Sequence, residues 1–157
     1  MTTGMETVAV NKSITVNAGR ERAFAVFTEN FFTWWPKSHH IGKADMADAV
    51  IEPKVGGRWY ERGADGVECE WGVVLAYDPP ARVVLSWHLQ GDWGYDPDPA
   101  RASEVEVQFI KETDDRTRVV LTHRHIERHT MPEKVAAGVD SPDGWGGILA
   151  DYAEAVA

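Results

Sequence analysis

Residues 51–87 decide the fold of this chain: IEPKVGGRWYERG (51–63), ADGVEC (64–69) and EWGVVLAYDPPARVVLSW (70–87). Three segments of strand-like composition are separated by Gly, Asp and Pro residues that favour turns. These segments also carry an unusual number of aromatic side chains. A curved sheet with large rings on one face would form one wall of an apolar cavity. The stretch therefore favours the binding of a small molecule as the first hypothesis, ahead of catalysis.

The length and composition predict one folded domain. The chain has 157 residues, of which 43% are hydrophobic and seven are Trp. This is enough for one substantial core and too little for two comfortable ones. No apolar run approaches the roughly 20 residues that span a bilayer. We therefore expect a single domain over residues 1–157, with its core beginning at about residue 8, and no membrane insertion.

The charge balance and the single cysteine exclude several classes of function. The formal net charge is −9 and the sixteen Lys and Arg residues are scattered, so nucleic acid is not an expected partner. The N-terminus lacks the basic and apolar segments of a signal peptide, and we expect a cytoplasmic location. Cys69 cannot form an intramolecular disulfide, and no CxxC zinc pattern is present. We interpret Cys69 as an ordinary strand residue.

The first forty residues predict a strand followed by two short helical segments. Apolar residues alternate over residues 7–16, which indicates a strand with an irregularity at residues 11–12. An amphipathic helix follows Gly19, with apolar residues at helical spacing. An aromatic cluster over residues 31–35 predicts a second short helix or turn that ends before Pro36. We expect residues 37–47 to form a loop, with His39 and His40 facing solvent or the mouth of a pocket.

The middle of the chain predicts a meander of antiparallel strands. Six segments have strand composition: 50–53, 57–62, 68–77, 82–89, 104–112 and 117–126. Short turn sequences at residues 63–66, 78–80 and 113–115 have hairpin length, so successive strands should be neighbours. Gly72 inside a strand indicates a bulge or a bend. The segment 90–102 is rich in Asp, Pro and Gly, which is typical of a mobile flap or hairpin tip.

The C-terminal quarter predicts helices. Residues 131–139 form one short helix, and the segment 140–144 interrupts it. After this, Trp145, Ile148, Leu149, Tyr152 and Val156 repeat at spacings of three and four, which predicts an amphipathic terminal helix. Its apolar stripe must be buried, and the concave face of the sheet is the one large surface left for it.

The order of these elements and the amino-acid sequences of several segments resemble a known family. A strand, two short helices, six strands and a terminal helix are similar to the helix-grip fold of START domains. The stretches FTWWP (32–36), 51–63, 70–87, TRVVLTH (117–123) and GWGGIL (144–149) resemble the bacterial family named after the activator of the heat-shock-protein-ninety ATPase. That family belongs to the polyketide cyclase and START-like (SRPBCC) superfamily. The resemblance covers the chain from about Val8 to the C-terminus.

The resemblance implies an α+β fold of helix-grip (START-like) type. A curved antiparallel sheet of about six to seven strands would wrap around a long C-terminal helix, with two short helices after the first strand. It implies no cofactor. The motifs are mostly architectural, so the resemblance defines the fold more closely than the activity.

The predicted ligand site is an apolar cavity between the sheet and the terminal helix. Alternation on the last strand places Val119, Leu121, His123 and His125 on one face, and equivalent faces on the neighbouring strands are also apolar. A mostly apolar pocket with few polar groups is typical of small-molecule sites. We expect a lipophilic or aromatic ligand, including a lipid, with one or two of His123, Tyr60 and Glu70 orienting it. The expected wall residues are Trp35, Trp59, Trp71, Trp87, Phe109, His123, Trp145 and Tyr152. The alternative is that these side chains fill a collapsed core.

Catalysis and metal binding are weighed as alternatives. An acid–base enzyme of cyclase, hydrolase or dehydratase type would need a carboxylate or His held in the cavity, and the candidates are Glu61, Glu70 and His123. A metal site could combine His123 and His125 with His88 or Glu70. We nevertheless expect no metal and no established catalytic residue. Motifs of serine hydrolases, nucleotide-binding proteins and zinc proteases are absent.

Two further hypotheses concern protein partners. A chaperone-cofactor role follows from the name of the family that the chain resembles. Trp34 and Trp93, if exposed, would suit the interface of a homodimer. We prefer a binding module without enzymatic activity, because the aromatic segments favour a cavity and no catalytic motif is present.

Overall fold

The computed structural model describes residues 9–92, 94–141 and 144–157. The predicted strand start at residues 7–8, the predicted interface residue Trp93 and part of the predicted break at 140–144 lie outside these residues. The elements are β1 (Val10–Val16), α1 (Arg20–Thr28), α2 (Phe31–Trp34), β2 (Met46–Ile51), β3 (Arg58–Gly63), β4 (Glu68–Asp78), β5 (Arg82–Trp87), β6 (Ser103–Thr113), β7 (Arg116–Arg124), α3 (Pro132–Val139) and α4 (Trp145–Val156), with short 3₁₀ turns at Pro99–Arg101 and Ile126–Arg128.

The seven strands form one antiparallel sheet in the order β1-β7-β6-β5-β4-β3-β2. Each strand from β2 to β6 is hydrogen-bonded to the strand that follows it in the sequence, as expected for a meander. Strand β1 forms the edge opposite β2 and pairs with β7. The sheet and its helices confirm the predicted α+β helix-grip fold.

The sheet curves where its hydrogen-bond register is interrupted. The pairing of β3 with β4 shifts beside Trp59, and the pairing of β4 with β5 shifts between Val74 and Ala76. Such bulges bend a strand and increase its twist. At Gly72 the backbones of β4 and β5 approach so closely that a Cβ atom would overlap the carbonyl oxygen of Ser86. The predicted irregularity at Gly72 is therefore a close approach of two strands beside a bulge.

The terminal helix α4 buries its predicted stripe inside this curve. Ile148, Leu149, Tyr152 and Val156 are all buried. The Tyr152 ring packs edge-on against Phe27 of α1, and its hydroxyl donates a hydrogen bond to the carbonyl oxygen of Ala23. The spacing of three and four in the sequence therefore marks the face that contacts the core.

Several predicted boundaries are wrong. Strand β2 begins at Met46 rather than at residue 50, and β5 ends at Trp87 rather than at residue 89. Strand β1 pairs with β7 residue by residue without the predicted irregularity. Asn11 and Ser13 are exposed on the outer side, whereas Lys12 is half-buried on the same face as Val10. The Lys12 ammonium lies 2.7 Å from a carboxylate oxygen of Asp140. The irregularity is therefore one of side-chain polarity and not of backbone pairing.

Trp34 does not meet the condition of exposure under which it would suit a dimer interface. Its side chain is buried, its indole N–H donates to the carbonyl oxygen of Val26 at 2.9 Å, and its ring packs against Tyr152. It is a core residue because α2 is a single turn that directs the ring towards α4.

None of the helices in the described ranges is both long and apolar enough to cross a membrane.

Candidate functional site: an aromatic cavity beside the terminal helix

A cavity of about 310 Å³ lies between the sheet, the loop after α2, and the junction of α3 with α4. Its size falls at the lower end of the range for small-molecule sites. It is lined by Trp35, Ser38, His39, His40, Ile41, Trp71, Trp87, Leu89, Gly138, Val139, Ser141, Gly144, Trp145 and Ile148. The interior of the domain is therefore not completely filled by its own side chains.

Four tryptophans from four different elements form a continuous aromatic wall. The Trp35 ring centroid lies 5.2 Å from that of Trp71 and 6.0 Å from that of Trp145, and Trp145 lies 5.7 Å from Trp87. All four side chains are buried. Their mutual contacts limit rotation, so the wall is held in place before any ligand arrives.

Three of these indoles direct their N–H groups into the protein. Trp35 Nε1 donates to the carbonyl oxygen of His39 at 2.9 Å, and Trp71 Nε1 donates to Glu61 at 2.8 Å. Trp145 Nε1 donates to His123 Nδ1 at 3.0 Å. Since protein groups satisfy these donors, a molecule in the cavity meets mainly ring carbon along this wall.

The eight predicted wall residues divide into two groups of four. Trp35, Trp71, Trp87 and Trp145 line the cavity. The other four lie outside its lining: Trp59, Phe109, His123 and Tyr152. Phe109 packs edge-on against Phe24 and Phe27, and Trp59 lies behind the wall, with its centroid 5.5 Å from that of Trp71. Whether the four lining tryptophans contact a ligand remains a prediction.

Glu61 supports the cavity from behind. Its carboxylate is completely buried and accepts hydrogen bonds from the backbone N–H of Ile41 at 2.6 Å and of Gly42 at 3.1 Å. It also accepts from the indole of the wall residue Trp71. A buried carboxylate is costly unless several donors satisfy it. The two backbone donors connect strand β3 to the loop after α2, and the Trp71 indole connects it to β4.

Glu70 and Tyr60, predicted to orient a ligand, lie outside the lining of the cavity. Arg58 forms a two-pronged ion pair with Glu70, with Nε–Oε1 at 2.7 Å and Nη2–Oε2 at 3.1 Å. The same guanidinium lies 3.9 Å from the centroid of the Tyr60 ring. Both residues therefore belong to a group organised by Arg58.

His123 and His129 belong to a buried hydrogen-bond chain. Ser103 Oγ lies 2.7 Å from His123 Nε2 and 2.7 Å from His129 Nε2, and all three side chains are buried. His129 Nδ1 lies 3.1 Å from Gln90 Oε1. This hydrogen-bond chain thus begins at the wall residue Trp145, passes through His123, Ser103 and His129, and ends at Gln90.

The partners determine the proton positions in this chain. An indole N–H can only donate, so His123 Nδ1 accepts and Nε2 carries the hydrogen that goes to Ser103. The Ser103 hydroxyl then donates to His129 Nε2, which leaves the Nδ1–H of His129 to donate to Gln90. Burial, together with nearby His129, lowers the pKa of His123 to about 3. Burial, together with nearby His88, lowers the pKa of His129 to about 4. Both rings are neutral near pH 7.

The prediction that His123 and His125 share one face of the last strand is wrong, and with it the geometry of the alternative metal site. Strand β7 ends at Arg124, and His125 has a left-handed backbone with φ of 63°, so strand alternation no longer applies to its ring. His125 Nδ1 instead lies 3.4 Å from a Glu127 carboxylate oxygen. Within residues 9–92, 94–141 and 144–157, no group of three or more His, Cys, Asp or Glu side chains is placed to hold a metal ion.

The loop after α2 contributes polar groups to the cavity. Ser38, His39 and His40 all line it, and the two histidines are half-buried, which agrees with the second of the two positions predicted for them, the mouth of a pocket. Their position directly after the aromatic FTWWP segment was the available signal. The roles of Ser103, Gln90 and His129 had no comparable signal, because their partners are distant in sequence.

The fold and this cavity define the class of protein, a START-like domain of the polyketide cyclase superfamily. The profile of the family described as "Activator of Hsp90 ATPase homolog 1-like protein" matches residues 17–156. The chain belongs to this family, as the sequence motifs predicted. A comparison with curated proteins gave no match.

Two solved structures share substantial sequence identity with the chain. One is an anthrahydroquino-gamma-pyrone synthase, Txn09, complexed with SUM, at 40% identity and a TM-score of 0.67, with 95% of this chain and 96% of that chain covered. Another is CalC, a self-sacrificing resistance protein from Micromonospora echinospora, at 35% identity and a TM-score of 0.71, covering 94% and 93%. The Aha1 dimer from Colwellia psychrerythraea shares the fold at 18% identity, with a TM-score of 0.60 and coverage of 95% and 96%.

Proposed function

We propose that this protein binds a planar aromatic small molecule in the cavity between the sheet and α4. The observation that carries the proposal is the wall formed by Trp35, Trp71, Trp87 and Trp145 around about 310 Å³ of space. Its polar groups, from Ser38, His39, His40 and Ser141, come from two loop segments. A ligand would place its rings against the indoles and its polar substituents towards these loops.

The expected affinity follows from the surface that such a ligand would bury. A two- or three-ring aromatic is comparable with one or two Trp side chains and buries on the order of 300 Å². At about 25 cal/mol per Å², this contributes roughly 7.5 kcal/mol. Loss of translational and rotational freedom offsets part of that gain. Because about 7.5 kcal/mol alone corresponds to a dissociation constant of about 3 μM, we expect dissociation constants weaker than this, in the range of tens of micromolar and above.

One of the similar structures supports a ligand of this kind. Txn09 is described as complexed with SUM, and its name as a synthase of an anthrahydroquino-gamma-pyrone denotes a fused aromatic product. The same comparison favours a second candidate function, a cyclase-type enzyme that acts on such a molecule. Histidines that line the cavity are compatible with this second function. Both functions require that the cavity accepts the aromatic molecule.

The test is ligand titration followed by tryptophan fluorescence and by calorimetry, with a panel of hydroxyanthraquinones, flavonoids and fatty acids. Saturable binding of the aromatic members at tens of micromolar and above is the expected result. Ser38→Trp places an indole at the exposed cavity mouth and should weaken binding. Ser13→Trp places the same side chain on the exposed face of β1 and is the matched control.

Two outcomes would refute binding in the cavity. One is the absence of saturable binding by folded protein, which would favour a protein partner instead. The other is equal weakening by Ser38→Trp and Ser13→Trp, which would indicate a nonspecific surface effect. Turnover of a bound aromatic substrate, followed by chromatography, would distinguish the enzyme from the simple binding module.

A further inference from the structure

The loop after α2 presents a histidine whose proton position is determined by the backbone. His40 Nδ1 lies 2.9 Å from the carbonyl oxygen of Gly42. A carbonyl oxygen can only accept, so Nδ1 carries the hydrogen and donates it. In the neutral ring, Nε2 then holds the free lone pair. Among the described residues, no group forms a hydrogen bond with Nε2.

The loop that bears His40 is attached to a buried charge. The Glu61 carboxylate accepts the backbone N–H groups of Ile41 and Gly42, and Gly42 is the residue whose carbonyl oxygen His40 contacts. A side chain at position 42 would meet Glu61 Oε2 at 3.2 Å, so the loop and the carboxylate are closely packed. Burying an ionised carboxylate for stability alone is unfavourable compared with an apolar pair. Positioning of the loop is a reason to retain it.

We propose that His40 Nε2 accepts a hydrogen bond from a hydroxyl group on the aromatic ligand, and that Glu61 is the residue that positions His40. The inference rests on the proposed function, since it assigns one contact within the same cavity. His40 lines the cavity together with the Trp wall. The ligand class is therefore a phenol, an aromatic ring system with a hydroxyl donor at the end that faces the loop after α2.

The carboxylate connects both halves of this recognition. Glu61 accepts from Trp71, which forms part of the wall for the rings, and from the loop that carries the acceptor for the hydroxyl. One buried group thus sets the distance between the apolar surface and the polar acceptor. Sites that hydrogen-bond a ligand hydroxyl reject analogues that lack it, because the protein group is then left unpaired.

The experiment compares umbelliferone, a fluorescent phenol, with its methyl ether herniarin, which keeps the rings but cannot donate. Calorimetry gives the ratio of their dissociation constants for wild type, His40→Phe, His39→Phe, Glu61→Gln and His125→Phe. We expect wild type to prefer umbelliferone by about ten-fold, the effect of one additional hydrogen bond to a half-buried acceptor. His40→Phe should reduce the ratio to about one while herniarin still binds. In Glu61→Gln, the preference for umbelliferone should fall by a larger factor than the affinity for herniarin.

The controls separate this inference from the proposed function. His125→Phe makes the same substitution outside the cavity and should leave the ratio unchanged. An unchanged ratio in His40→Phe, or its collapse in His39→Phe alone, overturns the role of His40 but leaves aromatic binding in place. A ratio of about one in the wild type likewise overturns the role of His40 but leaves aromatic binding in place. Failure of both compounds to bind overturns the proposed function and this inference with it. If Glu61→Gln does not fold, the His40→Phe ratio decides the result.

Discussion

Lowering the pH from 7 to 5 should destabilise this protein through the buried chain of His123, Ser103 and His129. Both histidines are neutral in the folded state, and each is committed as an acceptor at one ring nitrogen. Protonation would place a hydrogen on that nitrogen and oppose two donors across the bond. The unfolded chain has no such constraint, and its histidines titrate near their usual pKa of about 6.5.

The sign of the effect follows from the direction of the shifts. The folded pKa values, about 3 for His123 and about 4 for His129, lie below the unfolded value. Below pH 6.5 the unfolded state therefore binds more protons than the folded state, and stability falls as the pH falls. The contribution is complete above pH 6.5. It is lost progressively towards the folded pKa values.

The magnitude is large enough to measure. Between pH 6.5 and 5, each histidine loses about 1.4 kcal/mol per pH unit. Two histidines over about 1.5 units give roughly 4 kcal/mol, which is a substantial part of the 5–15 kcal/mol typical of a domain. Most carboxylates titrate at lower pH, so this window reports mainly on the histidines.

The assay is urea denaturation at pH 7, 6 and 5, followed by tryptophan fluorescence. His129→Asn removes one of the two titrating groups, and the slope of unfolding free energy against pH should fall by about half. His39→Asn, which alters a half-buried loop histidine, is the control and should leave the slope close to that of wild type. Equal unfolding free energies at pH 7 and pH 5 in the wild type would refute the assignment of neutral, mutually bonded rings. So would an unchanged slope in His129→Asn.

Two further substitutions test the framework that holds the cavity. Gly72→Ala should destabilise the protein by several kcal/mol, because its Cβ would overlap the carbonyl oxygen of Ser86. Thermal unfolding checks this prediction. A melting temperature like that of wild type would contradict the close approach of β4 and β5. Thr117→Val should lower the free energy of unfolding by about 1–2 kcal/mol. The buried Thr117 hydroxyl donates to the Ala18 carbonyl oxygen at 2.8 Å, and the variant leaves that oxygen unpaired. Urea denaturation measures the difference, and a variant as stable as wild type would show that water replaces the lost donor.

The Trp residues show how far sequence patterns reach into the site. Alternation placed Trp87 on an inward face, helical spacing placed Trp145 on the buried stripe of the terminal helix, and Trp71 was expected in the wall as an aromatic strand residue; all three line the cavity. The same reasoning selected Trp59 and Tyr152, which lie in packed layers away from it. Periodicity identifies the buried face of an element, but which buried rings border an empty volume depends on how two elements meet.

The candidate catalytic residues show the same limit for polar groups. Glu61, Glu70 and His123 were named as titratable groups that an apolar cavity could hold, and of these Glu61 and His123 are completely buried. Their partners are Ile41, Gly42 and Trp71 for Glu61, and Ser103 and Trp145 for His123. These contacts engage the atoms that acid–base chemistry at either residue would use. Nothing in the local sequence around Glu61 or His123 indicates that their hydrogen-bonding capacity is used in this way.

By itself the sequence determined the order of the elements, the antiparallel meander, the amphipathic terminal helix and the family. These features depend on local properties, namely side-chain alternation, turn residues and helical spacing, which act within a few positions of the chain. Tertiary structure alone decided which of the eight predicted side chains border the cavity and how the hydrogen-bond chain behind them is paired. The reason is distance along the chain: Glu61 binds the loop at Ile41 and Gly42, and His123 meets Trp145 because α4 closes on β7. Packing between remote segments determines which groups pair and which space remains open.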